Sequence, residues 1–80
     1  MRATVLVQPK HGILDPQGEA VDTSLRQLGF AVAEARVGRL VDVEIEGDDA
    51  AAVREQLERM CEQLLANPLI ESYEIELPAE

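Results

Sequence analysis

Hydrophobic and polar residues alternate with a period of two in several stretches of this chain. From Leu40 to Glu46, Val41, Val43 and Ile45 alternate with Asp42, Glu44 and Glu46. A strand with this pattern buries one face and wets the other. Ala3 to Gln8 reads the same way, with Val5 and Val7 opposite Thr4, Leu6 and Gln8. Leu69 to Leu77 puts Tyr73, Ile75 and Leu77 on one face and Glu74 and Glu76 on the other. Phe30 to Val37 alternates Phe30, Val32, Glu34 and Arg36 with a small face of Ala31, Ala33, Ala35 and Val37. Gly38 then predicts a hairpin between this run and the strand beginning at Leu40.

Two stretches change to the helical period. Asp15 to Leu28 places Ala20, Val21, Ser24, Leu25 and Leu28 at helical spacing. Asp15-Pro16 is a start signal, with Asp as N-cap and Pro in the first turn, and Gly29 stands where a helix ends. From Ala50 to Ala66, Val53, Leu57, Met60, Cys61, Leu64 and Leu65 make one apolar stripe. Gly47-Asp48-Asp49 caps that helix and Asn67-Pro68 stops it. The order β-α-β-β-α-β predicts one α+β domain over residues 1–80 with a ferredoxin-like fold. Its four-stranded antiparallel sheet would carry two helices on one face. The other face would be free for dimerisation or docking.

Composition narrows what such a domain does. Of 80 residues, 46% are hydrophobic, but there is one Phe, one Tyr and no Trp. A small aliphatic core leaves little stability margin, so docking onto a partner would help the folded state. The formal charge of −9 repels polyanions and argues against nucleic acid and anionic membranes. A single cysteine cannot form an internal disulfide, which fits a reducing cytoplasm. No signal peptide and no apolar run of membrane-spanning length is visible.

Residues able to do chemistry are scarce. His11 is the sole histidine, so no histidine-based metal cluster exists, and a lone loop histidine reads as a surface residue. Cys61 lies in an apolar stripe and reads as a buried structural thiol. Asp42, Glu44 and Glu46 share a strand face and read as solvated rather than as a cation site. Gly12 and Gly18 lack the Lys-Ser/Thr of a phosphate loop, and Lys10 near a helix start is a nonspecific anion signal. Two features point to contact instead of catalysis. Pro9 to Gly18 packs two prolines and two glycines into ten residues, an unusually fixed connection. Arg36-Val37-Gly38-Arg39 places two cations at the predicted hairpin tip of an acidic protein. The candidate contact residues are Leu14, Asp15, Pro16, Gln17 and Gly18 together with Arg36, Gly38 and Arg39.

Leu14-Asp15-Pro16-Gln17-Gly18, Arg36-Val37-Gly38-Arg39, and the run from Met60 to Tyr73 (MCEQLLANPLIESY) together resemble PurS. PurS is the small subunit of the multi-subunit phosphoribosylformylglycinamidine (FGAM) synthase, and the likeness covers nearly the whole chain. The resemblance implies a non-catalytic assembly subunit in de novo purine biosynthesis. It implies self-association as a dimer or higher oligomer and a bridge between the PurL synthetase and the PurQ glutaminase that supports ammonia transfer. ATP and Mg would be used by the synthetase subunit, and no cofactor would be bound by this chain. The alternative is a small-molecule-sensing regulatory domain of the same fold, with its ligand near the Pro9–Gly18 loop. An RNA-binding role is set aside, since only Phe30 and Tyr73 could stack on bases.

Overall fold

The computed structural model describes residues 1–78. The elements run β1 (Arg2–Pro9), α1 (Pro16–Gln27), β2 (Arg39–Glu44), α2 (Ala50–Met60) and β3 (Glu71–Glu76), and a π-helical turn at Cys61–Leu65 extends α2. The apolar alternation of β1 makes it the central strand. It pairs antiparallel with β2, Val5 opposite Val41, and antiparallel with β3, Val5 opposite Ile75. Ala3, Val5 and Val7 all point to the buried side, where Ile45, Val53, Leu57, Cys61 and Ala66 complete the core. Full burial of a side chain such as Leu57 contributes about 1.5–3 kcal/mol.

α2 starts as expected, the Ala51 N–H donating to Asp49 Oδ1 at 3.0 Å. Its end departs from the expected stripe. Ala66 N–H donates to the Cys61 carbonyl five residues back, at 3.0 Å. This wider turn changes which side chains face inward at the helix end. Ala66 therefore enters the core, while Leu64 lies 83% exposed.

Two expectations are corrected. Among the described residues the sheet has three strands, in the order β2-β1-β3, not four. Phe30 to Val37 pairs with no strand, and Gly38 makes no hairpin. A tight two-residue hairpin turn needs positive φ. Positive φ occurs at Gly12, Gly29 and Gly47, but not at Gly38. Glycine is required at position 38 for another reason: a Cβ there would run into the Val7 carbonyl oxygen, so the chain passes close over the end of β1. Nor do two helices cover one sheet face. Of the two helices only α2 contributes side chains to the core among the described residues, and the buried residues of α1 are Gly18 and Asp22. Residues 10–38 instead form an arm. α1 leads outward, Gly29 turns the chain at φ 97°, and the segment from Phe30 to Gly38 returns beside α1. The radius of gyration is accordingly 15.7 Å, against about 11.6 Å for a compact chain of this length.

Candidate interaction surface

Asp15 holds the arm together at its base. One carboxylate oxygen accepts from the Gly18 N–H at 3.0 Å, the cap predicted for α1. The other accepts from the Val37 N–H, also at 3.0 Å, which ties the returning segment to the helix start. These two N–H donors, with Arg36 nearby, hold the Asp15 carboxyl below its ordinary value. Gly18 is buried between the two halves, where a Cβ would lie 2.6 Å from the Ala35 carbonyl oxygen. Asp22, one turn along α1, is paired with Arg26.

Between the connection and the returning segment lies a cleft of about 220 Å³, lined among others by Lys10, His11, Asp15, Asp22, Glu34 and Arg36. Carboxylates and cations mix around it, so it offers no basic cradle for a phosphate. His11 sits exposed at its rim. Among the described residues no group of three or more His, Cys, Asp or Glu side chains is placed to hold a metal ion. Burial pushes the Cys61 thiol up, and Glu62 and Glu58 add to the effect, so the thiolate needed of a nucleophile is disfavoured.

Arg36 and Arg39, adjacent in the predicted hairpin tip, are separated in function. Arg36 lines the cleft on the arm. Arg39, at the start of β2, forks onto Glu71 at 2.7 and 3.0 Å and also donates to the Leu65 carbonyl at 2.6 Å. The Glu71 carboxylate accepts from the Asn67 N–H as well, at 2.8 Å. Arg39 and the Asn67 N–H hold the Glu71 carboxyl below its usual value, and Glu71 in turn raises the Arg39 guanidinium. Arg39 is therefore an internal clamp between β2, the π turn and β3. Lys10 is likewise engaged, donating to the Pro68 carbonyl at 2.6 Å. Tyr73 O–H donates to Glu62 at 2.9 Å, and that bond pushes its pKa up to about 12.

The structure thus brings Leu14, Asp15, Pro16, Gln17, Gly18 and Arg36 together on the arm, with Gly38 at its junction with β2 and Arg39 beyond it. It also exposes residues that sequence reasoning assigned to packing. Leu28 is 74% exposed, Phe30 60% and Val21 42%, and Leu14 joins them at 74%. The apolar stripe of α1 is real, but of its large members only Leu25 is half-buried within the described chain. Large apolar side chains left open along one element are the kind of surface on which a partner docks.

Comparison with known proteins agrees with the motifs. Residues 2–79 match the family model of PurS, described as phosphoribosylformylglycinamidine (FGAM) synthase. The phosphoribosylformylglycinamidine synthase subunit PurS of Methanocaldococcus jannaschii is 40% identical over 77 residues, covering 95% of this chain and 93% of the relative. A solved structure of M. jannaschii PurS superposes with a TM-score of 0.83 at 38% identity, covering 99% and 98% of the two chains. It is described as one of the subunits of formylglycinamide ribonucleotide amidotransferase in the purine biosynthetic pathway. A chain in the structure of PurLQS from Thermotoga maritima gives a TM-score of 0.85 at 32% identity, with 94% and 93% covered.

Proposed function

This chain belongs to the PurS family of FGAM synthase subunits, and we propose that it acts there as a non-catalytic assembly subunit. In this reading it associates with itself, bridges a PurL synthetase and a PurQ glutaminase, and supports passage of ammonia between them. The complex converts formylglycinamide ribonucleotide to FGAM with ATP and glutamine. ATP and Mg bind the synthetase, and this chain works in the cytoplasm without a cofactor of its own. No helix among the described residues is long and apolar enough to cross a membrane.

The observation that carries the proposal is the arm. Leu14, Val21, Leu28 and Phe30 are presented on a projecting element whose base is tied by Asp15. Exposed side chains on a braced projection suit docking, since little ordering remains to be done on binding. The likeness to a chain of the T. maritima PurLQS complex gives the docking its context. The chemical benefit is exclusion of water. Ammonia released into neutral water is protonated and loses its nucleophilic lone pair, whereas a closed path delivers it unprotonated.

The test is co-purification with PurL and PurQ from the same source, with glutamine, ATP and Mg present. Co-elution of all three supports the reading, and elution of this chain alone overturns it. The sensing alternative draws on the cleft at the Pro9–Gly18 loop. Calorimetric titration with amino acids and purine nucleotides decides it, because an assembly subunit gives no heat of tight binding.

A further inference from the structure

We infer that the connection from α2 to β3 is a second docking surface: Leu64 and Leu69 enter an apolar groove on a different subunit of the synthase, and a carboxylate on the rim of that groove pairs with Arg59. The inference rests on the assembly role proposed above and names a surface through which one partner is held.

Backbone geometry puts both leucines in solvent. Val53, Leu57 and Cys61 are buried along one side of α2. An α-helix would keep Leu64, three residues beyond Cys61, on that side. The π turn at Cys61–Leu65 takes it out, to 83% exposure. Such turns are rare and occur frequently at functional sites. Leu69, 84% exposed, follows in a tightly bonded loop. Its N–H donates to Asn67 Oδ1 at 3.1 Å, and the Ile70 and Glu71 N–H groups donate to the Asn67 carbonyl at 3.1 and 2.7 Å. Lys10 ties the same loop from outside, its N–H donating to the Ile70 carbonyl at 2.8 Å and its Nζ to the Pro68 carbonyl at 2.6 Å. Apolar side chains on so braced a segment lose little freedom when they dock.

Packing accounts for the neighbours of these leucines and not for the leucines themselves. Cys61 and Ala66 fill the core, and Glu71 receives Arg39. A bridge between two subunits needs two surfaces, and the stripe of α1 supplies one. The accessible surface of 5819 Å² leaves room for another contact. It exceeds that of a compact chain of this mass by about 1,000 Å², where a standard contact takes about 800 Å² from each partner.

Charge decides the chemistry of the occupant. Arg2, Arg26 and Arg39 form ion pairs with Glu44, Asp22 and Glu71. Arg59 forms none among the described residues. It lines a groove of about 220 Å³ on the outer side of α2 with Gln56, Met60 and Gln63, the last of them adjacent to Leu64 in the chain. The one acid in residues 59–70 is Glu62, which already accepts from the Tyr73 hydroxyl. An apolar surface with an unpaired cation at its rim matches a groove with an acidic rim. A second copy would set this patch on itself, with Arg59 near Arg59, so a different chain fits better.

The experiment measures binding of the full chain to PurL and to PurQ from the same source, with glutamine, ATP and Mg present. Leu64→Gln with Leu69→Gln should weaken binding to one of the two by about 100-fold or more, through faster dissociation. Far-ultraviolet circular dichroism, the urea midpoint and the mass by light scattering should hold, because both side chains are mostly exposed. Arg59→Glu should slow association with the same partner and flatten its salt dependence, and Arg59→Lys should restore both. Unchanged affinity of the double variant for both partners overturns this docking surface and leaves the assembly role standing. A double variant that loses self-association instead shows that the leucines meet a second copy, and overturns it too. An unaltered chain that binds neither partner overturns both readings. Should the double variant misfold, the Arg59 pair of variants decides alone.

Discussion

Arg39 shows how one side chain changes meaning once its partners are seen. In the sequence it is half of a basic pair, but in the fold it clamps Glu71 and the Leu65 carbonyl. A lysine keeps the charge and loses the fork. Arg39→Lys should therefore lower stability by about 1 kcal/mol, the upper end for an exposed pair, read as a shifted urea midpoint at unchanged slope. The response to acid has a definite sign. Asp15 and Glu71 both have carboxyls lowered by folding. Their contribution is complete above the unfolded carboxylate range, about pH 4, and is lost as pH falls through the lower folded values. Glu71→Gln should already lack its share at neutral pH and show a shallower loss of stability on acidification. Tyr73 behaves oppositely: its pKa is raised to about 12, so its bond to Glu62 persists through pH 10 and is lost as pH rises through that value. Being the one tyrosine, it gives a clean phenolate absorbance titration. A midpoint near the ordinary value of about 10 would remove the Glu62 bond from the account.

At the level of elements, the arm depends on glycine packing as much as on the Asp15 bonds. Gly18→Ala would press a methyl on the Ala35 carbonyl and should part α1 from the returning segment. Hydrogen exchange should then rise in residues 30–37 while β1 stays protected. Gly38→Ala presses instead on the Val7 carbonyl within β1, and should cost about 1–3 kcal/mol of global stability. The elements legible in the sequence are β1, β2, β3 and both helices, α1 by its Asp15 cap and the glycine at its end. β1, β2, β3 and α2 bury their stripes against one another, so alternation and helical spacing locate them and their caps. Periodicity misplaces Leu64 because it assumes an α-helix, and one π turn shifts the facing residue to Ala66. Phe30–Val37 reads as a strand on β2 because its pattern is that of a strand, yet a pattern names no partner. The stripe of α1 is legible and its exposure is not, for the same reason. Glu71 gives no signal, since its role comes from Arg39, which is distant in sequence and brought close by the sheet.

For the whole molecule, the excess surface and the long arm fit the assembly role proposed above. In that proposal the chain's work is to hold other subunits in place. Its small aliphatic core would gain stability from a partner docked on the arm. The central claim is that this chain couples glutaminase to synthetase without contributing chemistry. The most direct measurement compares FGAM formation by PurL and PurQ with and without this chain, using glutamine or free ammonia as nitrogen source. The account predicts that glutamine-dependent formation requires the chain, and falls with Leu28→Glu and Phe30→Asp, while ammonia-dependent formation by PurL persists without it. Undiminished glutamine-dependent formation in its absence would contradict the account.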